Sequence, residues 1–115
     1  MKKVIIAGGR NFSNEIVLAE SCDRLLKDLE VEIVSGGAKG ADRLGEFYAI
    51  DRDFSISRFP ADWEKHGKRA GYLRNQEMAE YADILIAFWD GQSRGTKHMI
   101  DIATERGLIV HVIKY

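Results

Sequence analysis

The sequence predicts an α/β fold, a three-layer sandwich in which four main helices cover a five-stranded, mainly parallel sheet. Five short apolar runs alternate with longer amphipathic runs along the 115 residues. The first and fourth apolar runs lack polar alternation, which is typical of strands buried on both faces of a parallel sheet. No linker, repeat or low-complexity segment interrupts the alternation, so we interpret residues 1–115 as a single domain.

The strands are predicted from short, mostly apolar runs, and the helices from the amphipathic runs between them. Strands are expected at residues 4–7, 31–34, 55–59, 84–88 and 108–113, and helices at about 14–28, 40–50, 70–82 and 95–106. The first helix carries one apolar stripe of Leu and Cys side chains at helical spacing. Ser13 is its predicted N-cap, and Gly107 is the predicted C-terminal signal of the last helix.

Composition limits the classes of function. Seventeen basic and eighteen acidic residues give a net charge of −1, so no overall field favours nucleic acid or an anionic membrane, and we expect neither as a partner. A local basic patch is still compatible with this composition. The single Cys22 excludes an internal disulfide and is best explained as a core side chain. The sequence starts with no long apolar run, which predicts a cytoplasmic protein. Isolated His66, His98 and His111 do not have metal-ligand spacing, and no cofactor is expected.

The connections between elements are asymmetric. Those from helix to strand are short, whereas four longer connections from strand to helix are rich in glycine and charge; we call them loop 1 (residues 8–13), loop 2 (35–40), loop 3 (60–69) and loop 4 (89–94). In a parallel sheet all four emerge at the carboxyl edge, where open α/β sheets bind ligands. The sequence therefore predicts a ligand site there.

Three of these loops combine glycines with polar groups suited to an anion. Loop 1 contains Gly8, Gly9 and Arg10, whose guanidinium matches a phosphate. Loop 2 contains Ser35, Gly36, Gly37 and Gly40 and leads to Asp42 at a helix start; loop 4 and the following helix start contain Ser93, Gly95 and Thr96. Helix starts favour anions, although turn and capping chemistry explains each loop alone at least as well.

Loop 3 and the third main helix add charged and aromatic side chains. Trp63 could stack on a base or pack on the protein, and Lys68 and Arg69 could reach phosphates or remain in solvent. Arg74 lies on the buried stripe of its helix, so it should face an anion or pair with Asp42 or Asp83. Trp89, at the end of the fourth strand, is better explained by packing than as a platform for a base.

Six segments together resemble one known family. They are Gly8-Gly9-Arg10, residues 35–42 (SGGAKGAD), residues 59–63 (FPADW), residues 67–71 (GKRAG), Arg74-Asn75-Gln76-Glu77-Met78 and residues 88–96 (FWDGQSRGT). In this order they resemble the YspA/YpsA-like branch of the SLOG superfamily. The resemblance implies a Rossmann-like fold, a pocket for nucleotides or nucleotide-derived ligands, and a homo-oligomer. Relatives include phosphoribohydrolases of the LOG type and DNA-processing proteins.

One difference from the LOG-type enzymes bears on catalysis. Those enzymes carry a catalytic Glu soon after a Pro-Gly-Gly-x-Gly-Thr loop, but here Lys97, His98 and Met99 follow Gly95-Thr96. Asp101 stands two positions too far along the helix, leaving Asp42 and Asp90 as the other carboxylates near the glycine loops. Hydrolysis of a nucleotide at its N-glycosidic bond is therefore the alternative function, with the catalytic residue unknown.

We expect a module that binds a nucleotide-derived small molecule, as a sensor or by sequestering it. The expected ligand-binding residues are Gly8, Gly9, Arg10, Ser35, Gly36, Gly37, Gly40, Asp42, Trp63, Arg74, Asn75, Trp89, Ser93, Gly95 and Thr96. The base or ribose is expected near Phe12, Trp63 or Trp89. A less favoured hypothesis is binding of single-stranded nucleic acid through Lys65, Lys68, Arg69 and Arg94.

Overall fold

A computed structural model describes all of residues 1–115 and shows a five-stranded sheet in which every neighbouring pair is parallel. The strands are β1 (Lys2–Gly8), β2 (Val31–Ser35), β3 (Ser55–Arg58), β4 (Ile84–Trp89) and β5 (Ile109–Lys114). The helices are α1 (Glu15–Leu25), α2 (Ala41–Asp51), α3 (Trp63–His66), α4 (Ala70–Tyr81) and α5 (Arg94–Glu105). The predicted Rossmann-like α/β sandwich is confirmed, with α1, α2, α4 and α5 as its four main helices.

Two apolar layers hold the helices on opposite faces of the sheet. One face of the sheet packs against α1 and α2 around Leu18, Cys22 and Tyr48. The other packs against α4 and α5 around Met78, Met99 and Ala103. Because β1 and β4 are covered on both sides, Val4, Ile5 and Ile6 are completely buried, which explains the uninterrupted apolar runs. Cys22 is also fully buried, as predicted.

The strand order is β3-β2-β1-β4-β5. From β1 the chain adds β2 and β3 on one side of the sheet, and it then adds β4 and β5 on the other side of β1. This reversal leaves a topological switch point between β1 and β4, at whose carboxyl end the flanking helices diverge. Loops 1 and 4 leave the sheet at this point.

Several helix boundaries differ from those that we expected. The N-cap of α1 is Asn14, whose Oδ1 accepts from the Val17 N–H at 3.1 Å, so the choice of Ser13 was wrong. Helix α1 ends at Leu25, and Asp28, with φ +63°, interrupts its expected continuation. Loop 3 contains α3 and then a 3-10 turn at Gly67–Arg69. Asp62 is the N-cap of α3, and its side chain accepts from the Lys65 N–H. Gly107 follows α5 with φ +81°, as its predicted terminating role requires.

Gly40 joins loop 2 to loop 1. Its φ is +80°, and a Cβ there would lie 2.2 Å from the Gly9 carbonyl oxygen and 2.6 Å from that of Arg10. The next residue, Ala41, donates its N–H to the Gly9 carbonyl at 3.2 Å. Glycine at this position therefore lets the start of α2 rest directly on the backbone of loop 1.

We expect Asn14→Ala to lower the free energy of unfolding by about 1 kcal/mol, because it removes the only side-chain cap of α1. Ser13→Ala is the matched control and should change it by less than about 0.5 kcal/mol. Urea denaturation of both variants measures the difference, and an equal loss in the two would show that Asn14 is not the cap.

Gly40→Ala should destabilise the protein more than Gly37→Ala. Both glycines have positive φ, and alanine in this region costs about 1–2 kcal/mol, but a Cβ at Gly37 meets nothing within 4 Å. The collision at Gly40 should add roughly 1–3 kcal/mol. Equal midpoints of thermal or urea unfolding for the two variants would contradict the close packing of the two loops.

Candidate functional site

A cleft of about 470 Å³ opens at the switch point between β1 and β4. Its floor includes Ala7, Met78 and Met99, and its walls come from loops 1 and 4, the starts of α2 and α5, and one face of α4. Ten of the expected ligand-binding residues line it: Gly8, Gly9, Arg10, Asp42, Trp63, Arg74, Asn75, Ser93, Gly95 and Thr96. The fold thus brings together groups that are widely separated in sequence.

Arg74 is the central cation of the cleft. Its Nη1 donates to the Gly36 carbonyl at 2.6 Å and its Nε to Asn75 Oδ1 at 3.1 Å. Neither Asp42 nor Asp83 forms an ion pair with it, so the alternative of an internal ion pair is wrong. Two of its five N–H donors are used, and the others remain for an anion in the cleft. Burial lowers the pKa of Arg74, and nearby Asp42 acts in the opposite direction.

Asn75 fixes Arg74 from the side. Its Oδ1 accepts from Arg74, while its Nδ2 lies 3.4 Å from the Gly95 carbonyl and 3.3 Å from His98 Nδ1. The side chain is buried, and its contacts reach α5. Asn75 therefore ties the guanidinium to the start of α5 and keeps both on the same side of the cleft.

Loop 2 uses much of its polar backbone internally. The Gly37 N–H donates to Ser35 Oγ at 3.0 Å, and the Ala38 N–H donates to Asp42 Oδ2 at 3.3 Å. Ser35 Oγ in turn donates to Glu46 Oε2 at 2.7 Å. In this part of the chain only Ala38 and Asp42 line the cleft. Four residues that we expected to bind a ligand do not line it: Ser35, Gly36, Gly37 and Gly40. The loop supports the cleft from behind, and the N–H groups of Gly37 and Ala38 are already bonded within this part of the chain.

The start of α5 lines the cleft with Ser93, Gly95 and Thr96. Asp90 Oδ1 accepts from the Gln92 and Ser93 N–H groups, both at 2.8 Å, and these bonds lower the pKa of Asp90. Ser93 Oγ accepts from the Thr96 N–H at 3.4 Å as the N-cap. The Gly95 N–H lies between these groups and has no protein acceptor. Gly95 lines the cleft, and the positive end of the helix dipole lies at the same place.

Aromatic side chains stand at the mouth of the cleft rather than in its floor. Trp63 lines the cleft and is 52% exposed, and Tyr72, which the sequence analysis did not select, lines it and is 44% exposed. Tyr72 packs edge-on against His98, with ring centroids 4.5 Å apart. The sequence contains a pattern that marks this face of α4. The residues at helical spacing are Gly71, Arg74, Asn75 and Met78, and all of them line the cleft.

Two of the aromatic residues expected near a base lie elsewhere. Phe12 is a core side chain, 4% exposed and stacked on Phe88 at a centroid distance of 4.9 Å, so it is not free to contact a ligand. Trp89 does not line the cleft; its Nε1 donates to the Ser93 carbonyl at 3.1 Å, and Lys114 lies over its ring. Both support loops 1 and 4 through packing.

The carboxylates separate into two groups. Asp101 is exposed, pairs with Lys97 at 2.8 Å and does not line the cleft, so it does not replace the Glu of the LOG-type enzymes. Asp42 and Asp90 do line the cleft, together with the cations Arg10, Lys68 and Arg74.

No group of three or more His, Cys, Asp or Glu side chains is arranged to hold a metal ion. No helix combines the length and apolar character required to cross a membrane.

Comparison with known proteins identifies the fold in other chains. DNA processing protein A (DprA) from Streptococcus pneumoniae superposes with a TM-score of 0.72 at 21% identity, over 96% of this chain and 49% of that one. DprA from Helicobacter pylori, described for its single-stranded DNA binding mode, gives 0.75 at 19% identity, over 96% of this chain and 64% of that one. This chain spans less than two thirds of either structure.

The second structure corrects one expectation. We took nucleic acid to be an unlikely partner because the net charge is −1, but a protein with this fold binds single-stranded DNA. The physical error was to give the overall charge more weight than a local basic patch, since a local patch determines binding to a phosphate backbone.

One sequence relative aligns with almost the whole chain, and one family match covers more than half of it. Gene 61 protein of Mycobacterium phage D29 is 36% identical over 118 aligned residues, which cover 96% of this chain and 94% of that protein. Residues 2–66 match the family described as YAcAr, the YspA, cpYpsA-related SLOG family. This match contains loops 1 and 2 and most of loop 3, and on these grounds the chain belongs to the YspA, cpYpsA-related SLOG family.

Proposed function

We propose that this protein binds a nucleotide or nucleotide-derived ligand in the cleft between β1 and β4, as a sensor or sequestering module. The observation that carries the proposal is the half-buried Arg74, held by Gly36 and Asn75 with several donors still free. A protein rarely buries a guanidinium without a carboxylate partner unless it serves an anion.

The lining of the cleft offers groups for a phosphate and groups for a base. Arg10, Arg74 and the Gly95 N–H would hold the phosphate, and exposed Trp63 and Tyr72 would contact the base. Charge-assisted hydrogen bonds contribute roughly 1.5–3 kcal/mol each. Three of them, after the cost of ordering the ligand, are consistent with micromolar affinity, about −8 kcal/mol.

A second candidate is single-stranded nucleic acid, with the cleft taking one nucleotide of a longer chain. Lys68 lines the cleft, and Lys65, Arg69 and Arg94 each lie within two residues of a cleft-lining residue in the sequence. All four are exposed and form no ion pairs, although the total charge is −1. The DNA-binding H. pylori protein with the same fold adds support. Exposed cations beside aromatic side chains are the usual means of binding single strands.

Equilibrium dialysis identifies the ligand class. The purified protein is dialysed against mononucleotides, cyclic nucleotides, ADP-ribose derivatives and a short oligodeoxythymidine, with both chambers read by mass spectrometry. Retention of one small compound unchanged supports the first proposal. Release of free base or ribose phosphate would show turnover instead, and absence of retention for every compound would contradict both binding proposals.

Arg74→Ala should weaken binding of the retained compound at least about tenfold, because one charge-assisted contact is worth 1.4 kcal/mol or more. Arg106→Ala is the matched control, since Arg106 pairs with exposed Glu80 at 3.0 Å outside the cleft. Arg74→Lys should give an intermediate loss, because it keeps the charge without the planar fork. Thermal unfolding verifies that each variant is folded, and unchanged affinity in a folded Arg74→Ala protein would refute the assignment.

For the second candidate, the double variant Lys68→Ala/Arg69→Ala should reduce the salt dependence of oligodeoxythymidine binding. Each phosphate contact on a single strand contributes roughly 0.7 to the slope of log K against log salt, so the slope should fall by about 1.4. Lys2→Ala/Lys27→Ala is the control, because both lysines are exposed and unpaired. Fluorescence anisotropy measures the slopes, and equal slopes in the two variants would exclude this surface.

A further inference from the structure

One carboxyl group in the cleft is buried and lacks a cationic partner in direct contact. Asp42 lies in the first turn of α2, is only 5% exposed and lines the cleft. Its Oδ2 accepts from the Ala38 N–H at 3.3 Å. A Cβ on Gly36 would lie 2.9 Å from Asp42 Oδ2 and 2.8 Å from Arg74 Nη1, so the two groups face each other across Gly36 without forming an ion pair.

The groups around Asp42 act in opposite directions. Burial raises its pKa to about 6, while the Ala38 N–H, Arg74 from α4 and the Gly8 N–H from β1 favour the anion. Glu46, on the same helix, disfavours it. The remaining charges that face the cleft are Arg10 on loop 1, Lys68 before α4 and Asp90 on loop 4. Asp42 is therefore close to balance, and its charge responds to any charge placed beside Arg74.

We propose that Asp42 takes up a proton when an anion binds beside Arg74, so that the cleft binds a phosphate-class anion and a proton together. This inference rests on the proposed function. A bound anion offsets the positive field of Arg74 and places negative charge next to a carboxyl that is already poorly solvated. The neutral carboxyl removes this repulsion and can donate a hydrogen bond to the anion.

Linkage fixes the direction of the pH dependence. The pKa of Asp42 is about 6 in the free protein and is expected to be higher in the complex. Above both values the carboxyl stays ionised and affinity is lowest. Between them affinity rises as the pH falls, by up to about tenfold per pH unit for one proton. Below the free value the carboxyl is already protonated, and affinity reaches a plateau.

Carbon-13 NMR of the Asp42 carboxyl tests the inference on the unaltered protein. Sulfate is the probe, because it does not titrate near neutral pH, and sodium chloride at equal ionic strength is the reference. We expect the titration midpoint of Asp42 to rise by about 1 pH unit in sulfate and to stay unchanged in chloride. Sulfate affinity, measured by shifts of amide signals, should increase as the pH falls through this midpoint.

Asp42→Asn should make sulfate affinity independent of pH, with a value near that of the unaltered protein at low pH. Asp101→Asn, outside the cleft, should keep the full pH dependence. If sulfate binds while the Asp42 midpoint does not move, or if Asp42→Asn weakens binding at low pH, this inference is overturned and the anion site remains. If sulfate does not bind saturably at any pH, the anion site itself fails, and the inference with it.

Discussion

The parallel pairing of β1 with β4 is the constraint on which the site depends. The register aligns Gly8 with Phe88, so both strands end at the same level and loops 1 and 4 begin side by side. A Cβ on Gly8 would lie 2.3 Å from the Phe88 carbonyl oxygen, and glycine therefore permits this close approach. The order in which strands are added to the sheet changes direction between β1 and β4. No crossover helix therefore fills the space above the two strand ends, and this space is the cleft.

Helix α4 supplies the charge that gives the cleft its chemical character. It lies on the sheet face opposite to α2, yet Arg74 reaches across the strand ends to the Gly36 carbonyl of loop 2. Gly36 has no side chain to obstruct this contact; an added Cβ would be 2.8 Å from Nη1. One arginine of the α4 side thus contacts loop 2, which leads into the helix layer on the other face of the sheet. Its proximity to buried Asp42 means that the occupancy of the cleft and the protonation of that carboxyl are coupled.

Family membership and site geometry answer different questions about this protein. Membership of the YspA, cpYpsA-related SLOG family, and the similarity to two DprA structures, establish the architecture. A shared fold accommodates different ligands, so the choice of ligand must come from the side chains of the cleft. Here those side chains combine three cations, two carboxylates and two exposed aromatic rings. This is a set suited to a nucleotide unit, either free or within a strand.

The sequence by itself determined the order and type of the main elements, because apolar runs such as Val4–Ala7 and stripes such as that of α1 reflect local periodicity. It also indicated the edge of the sheet at which loops 1 to 4 meet. Tertiary structure alone decided which residues face one another: that Phe12 is core, that Ser35 and Gly37 bond within loop 2, and that Tyr72 enters the cleft. These contacts join residues on different elements, and the register and packing that bring them together leave no local periodic signal in the chain.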